Sequence, residues 1–425
     1  MYLLQPLLRW KLLRRARIEP GYQQAIEERF GHYPGVVSAG ENIVWVHAVS
    51  LGETRAAAAL IASLRDSLPA MRLLLTHGTA TGREEGKVLL REGDHQTWQP
   101  WDTPAAANAF LTHFKPRIGI LMETEVWPNL AAACAQSGVP LVLANARLSD
   151  KSLRQVNRLS WLARPAYQAL TAVWAQTQAD AQRFATLAAP VRGVLGNLKF
   201  DATIDLSQLS SGRNWRQRGG RPVVILASSR EGEEAQLLQI LQTNPVAKRA
   251  CQWLIVPRHP QRVEEVAALC LAQGWSVSRR SAWGDGPPVA ASDANLIWLG
   301  DSMGEMALYY GLADLALLGG SFEPLGGQNL IEAAACACPV LMGPHTFNFL
   351  EAAELAQAAG AARRVAGLDQ AVTETLDLLK TPAELHVMAM AATDFAQAHR
   401  GATQRTMSAV LDLLKIHKTD GRAAV

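Results

Sequence analysis

Cysteine is scarce in this 425-residue chain: there are five, an odd number, mostly set within Ala- and Leu-rich helical patterns. That argues against a disulfide framework and for a reducing cytoplasm. Cys336 and Cys338 form only a C-x-C pair, with no second pair or histidine cluster to complete a tetrahedral zinc site, and read as small core residues. Long apolar runs are missing as well. The opening Met1–Leu8 stretch falls far short of the roughly 20 apolar residues that cross a bilayer. It is no secretory signal either, because the charge follows the apolar part and no small-residue cleavage site appears. A large excess of either charge is absent too, and the net +3 is too small for a wholesale nucleic-acid binder. Several signatures are also lacking. Without G-x-G-x-x-G after the first strand or G-x-x-x-x-G-K-[ST] anywhere, dinucleotide and ATP binding are disfavoured. There is no G-x-S-x-G elbow. With no D-x-D or H-E-x-x-H, no metal site is evident, so neutralising a phosphate falls to Lys, Arg and helix ends.

What is present is unevenly distributed. Residues 1–17 hold Arg9, Lys11, Arg14, Arg15 and Arg17 and no acid, so with the whole chain at +3 the remainder is left at −2. Leu4, Leu8 and Leu12 align on a helical wheel, but Lys11 and Arg15 fall on the same face. Apolar character comes first along the chain and basic character after it. Two readings are open. One is a short plug with a basic collar at an anionic cytoplasmic leaflet, where each basic residue contributes about 1 kcal/mol. The other is a helix docked on the protein's own surface.

Hydrophobic residues make up 49% and charged residues 19%, a globular balance, and the length suits two domains. From Ile43 onward, short β-branched or aromatic runs alternate with longer helical periods, the sequence form of βαβ units. Strands are expected at 43–49, 73–76, 118–122, 141–144, 173–175 and 191–194, within a first α/β domain over residues 18–206. The Ser-, Gly- and Arg-rich stretch 207–221 reads as a linker. Alternation restarts over residues 222–381, with strands expected at 223–227, 253–256, 295–299, 315–318 and 340–342. Residues 382–425 read as a helical tail. The expected fold class is α/β, two doubly wound Rossmann-like domains facing one cleft, with ligands outside the carboxyl ends of the strands.

Chemistry is therefore sought where strands end. His47–Glu53 closes the first strand and opens a helix, so Glu53 is either a helix-capping acid or a general base presented to the cleft, with Gly52 allowing close approach. In Met122–Asn129, Glu123 and Glu125 follow an apolar strand and share a face. They face the cleft, pair with a cation or lie at the surface near a helix start. Gly196–Asp201 offers Lys199, either a point charge for phosphate or carboxylate or a solvated loop lysine. In the second domain Ala227–Glu233, Val256–Arg262 and Gly300–Glu305 follow strands with hydroxyls, arginines and helix N-termini suited to an anion. Gly319–Glu332 adds two Gly-Gly pairs, then Asn329 and Glu332 one helical turn apart. Its backbone N–H groups suit a phosphate and its carboxylate suits ribose hydroxyls, so a nucleotide is the expected ligand.

Taken together, HAVSLGE (47–53), METEVWPN (122–129), ANARLS (144–149), GNLKFD (196–201), VPRHP (256–260), GDSMGE (300–305), GGSFEPLGGQNLIEAAA (319–335) and GPHTFNF (343–349) form a specific set. The chain resembles the 3-deoxy-D-manno-octulosonic acid (Kdo) transferases of lipopolysaccharide assembly, from about Leu4 to the C-terminal helix. The resemblance implies a GT-B fold and inverting transfer of Kdo from CMP-Kdo to the lipid A precursor (lipid IVA). It also implies a place at the cytoplasmic face of the inner membrane, peripheral or N-terminally anchored, with no metal or other cofactor. It makes Glu53 the general base and Glu123 and Lys199 transition-state stabilisers, with Pro257, Arg258, Met303, Gly304, Glu305, Asn329 and Glu332 lining the CMP site. Gln328 stands where a histidine is frequent in the family, and Asn197 where serine is usual. Another two-domain transferase or epimerase using a UDP-sugar, or a non-catalytic membrane-surface binder, are the alternatives.

Overall fold

The computed structural model describes residues 5–17, 19–35, 42–201, 204–288 and 294–420. The chain divides into two compact units, Met1–Ala202 with Arg400–Val425, and Thr203–His399.

The first unit holds a seven-stranded sheet built from β1 (Asn42–His47), β2 (Met71–His77), β3 (His95–Trp98), β4 (Ile118–Met122), β5 (Leu141–Ala146), β6 (Ala172–Ala175) and β7 (Val191–Val194). Every pairing is parallel, in the order β3-β2-β1-β4-β5-β6-β7. A parallel sheet is covered on both faces, so its inner strands are mostly apolar runs instead of alternating, while the edge strands β3 and β7 are more polar. In β1, Ile43 and Trp45 enter one core cluster while Val44 and Val46 enter the other. The helices that follow β1, β2, β3, β5 and β6 start on Ser50, Thr79, Thr103, Ser149 and Thr177, each accepting a first-turn backbone N–H. After β4 the pattern changes. Trp127 and Pro128 open that helix, and Asp102, at the end of another strand, accepts from the N–H groups of Asn129 and Leu130 at 3.1 and 2.9 Å.

The second unit repeats the plan with β8 (Val223–Ser229), β9 (Gln252–Pro257), β10 (Ser276–Arg279), β11 (Leu296–Leu299), β12 (Leu315–Leu318), β13 (Val340–Met342) and β14 (Ala362–Arg364). They lie parallel in the order β10-β11-β9-β8-β12-β13-β14. The strand order reverses between β1 and β4 in the first sheet and between β8 and β12 in the second. Such reversals leave a crevice outside the carboxyl ends, where ligands bind in doubly wound sheets.

Two boundaries differ from the sequence-based expectation. Residues 207–221 are not a linker: Leu206–Arg218 is a helix of the second unit, started by Asp205, which accepts from Ser207 and Gln208. Its composition is polar because it buries only Leu209 and Gly212. Gly212 is a packing residue and no breaker, since a Cβ there would lie 2.1 Å from the Leu308 carbonyl oxygen of the helix Met306–Leu312. The tail 382–425 is likewise not one element. Pro382–Ala398 belongs to the second unit, whereas Ala402–Asp420 returns to the first, where Ala402, Met407, Val410, Leu413 and Leu414 complete its core. Asp201 secures that return by accepting from the N–H groups of Gly401 and Thr403.

Part of residues 1–17 lies outside the described residues. The helix Gln5–Ala16 buries Leu12 and Ala16 against Tyr22 and Trp98. Arg9 forms a bidentate pair with Glu27 and sits 4.3 Å over the Phe30 ring, and Arg15 lies over Tyr22. One face is therefore docked on the protein's own surface, while Trp10, Lys11, Leu13, Arg14 and Arg17 stay exposed. Among the described residues no helix is long and apolar enough to cross a membrane.

Candidate active site

At the carboxyl ends of β1 and β4 the first unit gathers carboxylates. Glu53 lies in the first turn of the helix Leu51–Ser67, whose N-cap is Ser50. Its two oxygens accept from the Val49 N–H at 2.9 Å and the Ser50 hydroxyl at 3.0 Å. The capping role is thus real, and it fixes the carboxyl in one orientation. Burial lifts that carboxyl to about 7, and the charges of Glu123 and Glu125 push the same way against the two hydrogen bonds. A capping acid held near neutrality can also take a proton.

Glu123 follows β4 with φ +58°, a left-handed conformation for a residue with a side chain, which costs about 1–2 kcal/mol. Its backbone is held there from both sides: its N–H donates to Ala144 and its carbonyl accepts from Arg147. Strain kept in place by its surroundings is characteristic of functional strand ends. The Glu123 carboxylate meets Lys199 Nζ at 2.8 Å. Lys199 stands on the short turn Leu198–Asp201, which Asn145 at the end of β5 positions by accepting the Leu198 N–H at 3.0 Å. Asn145 is itself left-handed, with φ +52°. Glu53, Glu123, Glu125 and Lys199 thus converge, and burial raises the Glu125 carboxyl, opposed by Trp127. Lys199 is ion-paired and not a solvated loop lysine.

In the second unit the reversal between β8 and β12 carries the Gly-rich loop. A Cβ on Gly319 would lie 2.3 Å from the Ser228 carbonyl oxygen, so the ends of these strands touch backbone to backbone. Arg258 follows Pro257 at the end of β9 and donates through Nε to Gln328 Oε1 at 3.1 Å. The amide at position 328 therefore orients this guanidinium. Asn329 caps the helix Leu330–Ala335, its side chain accepting from Ile331 at 3.1 Å. Burial raises the Glu332 carboxyl, and the charge of Arg258 opposes the rise. Arg258, Gln328, Asn329 and Glu332 are together at one place. Met303, Gly304 and Glu305 stand after β11, beside β9 in the sheet, with Met303 exposed and Gly304 at φ +75°. Glu305 is engaged by Arg280 at 2.9 Å and by the Ser302 hydroxyl.

Several residues that build these sites carry no obvious signal in the sequence. Glu233, fully buried, accepts from the backbone N–H groups of Arg230, Gly320 and Phe322 at 2.9, 2.8 and 3.1 Å. Glu234 beside it accepts from the Ser229 hydroxyl and pairs with Arg262. Glu233 holds the loops after β8 and β12 in shape and Glu234 ties the end of β8 to the turn after β9, where the sequence pointed only to hydroxyls and arginines. Asp102 and Asn145 do the same in the first unit. Among the described residues no group of three or more His, Cys, Asp or Glu side chains is placed to hold a metal ion.

Known proteins resemble this chain along its length. Residues 24–202 match the profile of the 3-deoxy-D-manno-octulosonic-acid transferase (kdotransferase) family. The 3-deoxy-D-manno-octulosonic acid transferase of Bordetella pertussis is 46% identical, with 97% of each chain covered. That of Haemophilus influenzae is 32% identical over 93% of this chain and 92% of its own. Among solved structures, the UDP-GlcNAc 2-epimerase of Neisseria meningitidis superposes with a TM-score of 0.55 at 15% identity, covering 87% of this chain and all of the other. Acinetobacter baumannii MurG gives 0.54 at 14% identity, covering 88% and 99%. These two likenesses establish the fold alone.

Proposed function

The chain belongs to the 3-deoxy-D-manno-octulosonic acid transferase family of glycosyltransferases with GT-B-type units, and from that premise we propose that it moves Kdo from CMP-Kdo to the lipid A precursor, lipid IVA, with inversion. The carrying observation is Glu53, a carboxyl held in one orientation in the first helical turn after β1 and lifted to about 7. In the reaction the bond between the anomeric carbon and the CMP phosphate oxygen breaks, and CMP leaves with the electron pair. An acceptor hydroxyl forms the new bond and gives its proton to Glu53. Positioned proton transfer of this kind contributes roughly 10²–10⁴ in rate. Lys199 and Glu123 act as a fixed ion pair on the charge that develops at the sugar, and a pair already in place needs no reorganisation at the moment of reaction.

On the donor side, Arg258, oriented by Gln328, neutralises the departing phosphate with backbone N–H groups of the loop after β12. Glu332 accepts from the ribose hydroxyls of CMP. Pro257, Asn329 and the segment Met303–Glu305 shape the remainder of the nucleotide site. The acceptor is a lipid, so the protein works at the cytoplasmic face of the inner membrane, attached in part through the exposed apolar and basic face of the helix Gln5–Ala16.

Purified protein given CMP-Kdo and lipid IVA should yield products heavier by whole Kdo units, and CMP should raise its melting temperature where UDP does not. A gain with UDP alone would transfer the reading to a UDP-sugar enzyme. Glu332→Ala should weaken CMP binding by about one to two decades, because a hydrogen bond to a charged group contributes roughly 1.5–3 kcal/mol. Unchanged affinity by calorimetry would return Glu332 to a purely structural role.

A further inference from the structure

We propose that residues 151–165 form a second lipid-contacting surface, distinct from the N-terminal helix, that binds the anionic face of a bilayer. This rests on the membrane-surface reading above and gives it a place in the fold. After β5 the chain makes two short helices, Asp150–Arg158 and Ser160–Gln168. The first buries none of its residues. At their junction Leu159, Trp161 and Leu162 are 54, 76 and 42% exposed. Around them stand Lys151, Arg154, Arg158 and Arg164, all exposed, and no acid occurs from 151 to 168. Asp150, just before, is paired with Arg183.

The base of this projection is firmly held. Leu148 donates its N–H to Asp180, Ser149 caps the first helix, and Ala166 and Tyr167 are buried in the core. Only the tip reaches out, so the exposure is a property of a secured element and not of a frayed one. Its pattern selects the partner. The core of a protein–protein interface is depleted of charge, whereas here each large apolar side chain has an arginine within three positions. Tryptophan and leucine at the level of the headgroups, with arginines reaching anionic phosphates, is the arrangement of an interfacial membrane surface.

Position supports the same partner. The helix Gln5–Ala16, with Trp10, Leu13, Lys11 and Arg14 exposed, packs on Trp98 at the carboxyl end of β3. Residues 151–165 follow the carboxyl end of β5. In the order β3-β2-β1-β4-β5 these surfaces lie on either side of the strands that carry Glu53 and Glu123. A lipid surface touched at both places would lie over the carboxylates, where a lipid-borne hydroxyl has to arrive.

The test is flotation of the full chain with vesicles of equal parts phosphatidylethanolamine and phosphatidylglycerol, without donor sugar, so that it stands whether or not Kdo transfer is observed. Trp161→Ser with Leu162→Ser should weaken binding at least about tenfold, and Arg154→Gln with Arg158→Gln and Arg164→Gln on the order of a hundredfold with a shallower salt dependence. Both variants should keep the wild-type melting temperature, as all five side chains are exposed. A full chain carrying Lys11→Gln, Arg14→Gln and Arg17→Gln, all exposed positions, should retain salt-sensitive binding that adding the substitutions within residues 151–165 removes. Brominated lipid should quench less tryptophan fluorescence in Trp161→Phe than in wild type. Vesicle binding unchanged in both multiple variants of residues 151–165 would overturn the proposal. So would a dimer seen by sedimentation velocity and lost in Trp161→Ser with Leu162→Ser, which would make the patch a contact between copies.

Discussion

Glu53→Gln is expected to lower Kdo transfer at least about a hundredfold, the smaller end of what a positioned general base contributes, while CMP affinity stays as it was. The amide keeps the size of the side chain and an oxygen able to accept from Val49 N–H or the Ser50 hydroxyl, so the helix start survives. What it loses is the lone pair that takes the proton. The pH profile supplies an independent check. With the carboxyl lifted to about 7 by burial and by its acidic neighbours, the competent carboxylate is the minor form below neutrality. kcat/KM should therefore climb about tenfold per pH unit up to about 7 and then level off, and Glu53→Gln should erase that limb. A rise centred near 4.5, or a variant that keeps more than about a tenth of wild-type turnover, would remove Glu53 from the base role.

Stability should move the other way. The folded-state pKa of Glu53 is raised above the unfolded value of 4.5, so protonation favours the fold: the contribution is complete below about 4.5 and is lost as pH rises through about 7. At pH 8 wild type holds a buried carboxylate at a cost that the neutral amide avoids. Glu53→Gln should consequently melt no lower than wild type at that pH, and its relative advantage should shrink on acidification. A site that trades stability for reactivity behaves in this way.

Much of this was legible beforehand, and the gaps have a common cause. The strands expected from apolar runs all exist, with ends shifted by a residue or two. The three that escaped, His95–Trp98, Ser276–Arg279 and Ala362–Arg364, are edge strands in both sheets. An edge strand has one unpaired side and tolerates polar residues, so HQTW, SVSR and ARR carry no run to detect. The helix Leu206–Arg218 escaped for a related reason: it buries little, and its one close contact is made by a glycine. At the site, Glu53, Glu123, Lys199, Arg258 and Glu332 could be singled out because each lies in the connection or first helical turn that follows a strand. Their supports could not. Asp102 caps a helix 26 residues away and Glu233 reaches a loop nearly 90 residues on, distances set by sheet order that no local pattern reveals.

Glu233→Ala is the substitution expected to damage the second unit most. The carboxyl has no exposed surface, yet among the described residues no cation bonds it; three backbone N–H groups hold it, from Arg230, Gly320 and Phe322. Burial raises its pKa, and those same bonds work against the rise. Truncation would leave three donors without an acceptor, and each buried unsatisfied donor costs about 1–3 kcal/mol. A loss of about 3 kcal/mol or more in denaturant unfolding is therefore expected. Glu233→Gln should be nearly as harmful, because one amide oxygen cannot serve both Gly320 and Phe322 and the NH₂ group would face an N–H. Since Gly320 and Phe322 belong to the loop that precedes Asn329 and Glu332, CMP affinity should fall in any variant that still folds. A loss under about 1 kcal/mol, within the range of a single ordinary hydrogen bond, would mean that the loop holds its shape without this carboxylate and that its glycines alone determine its path.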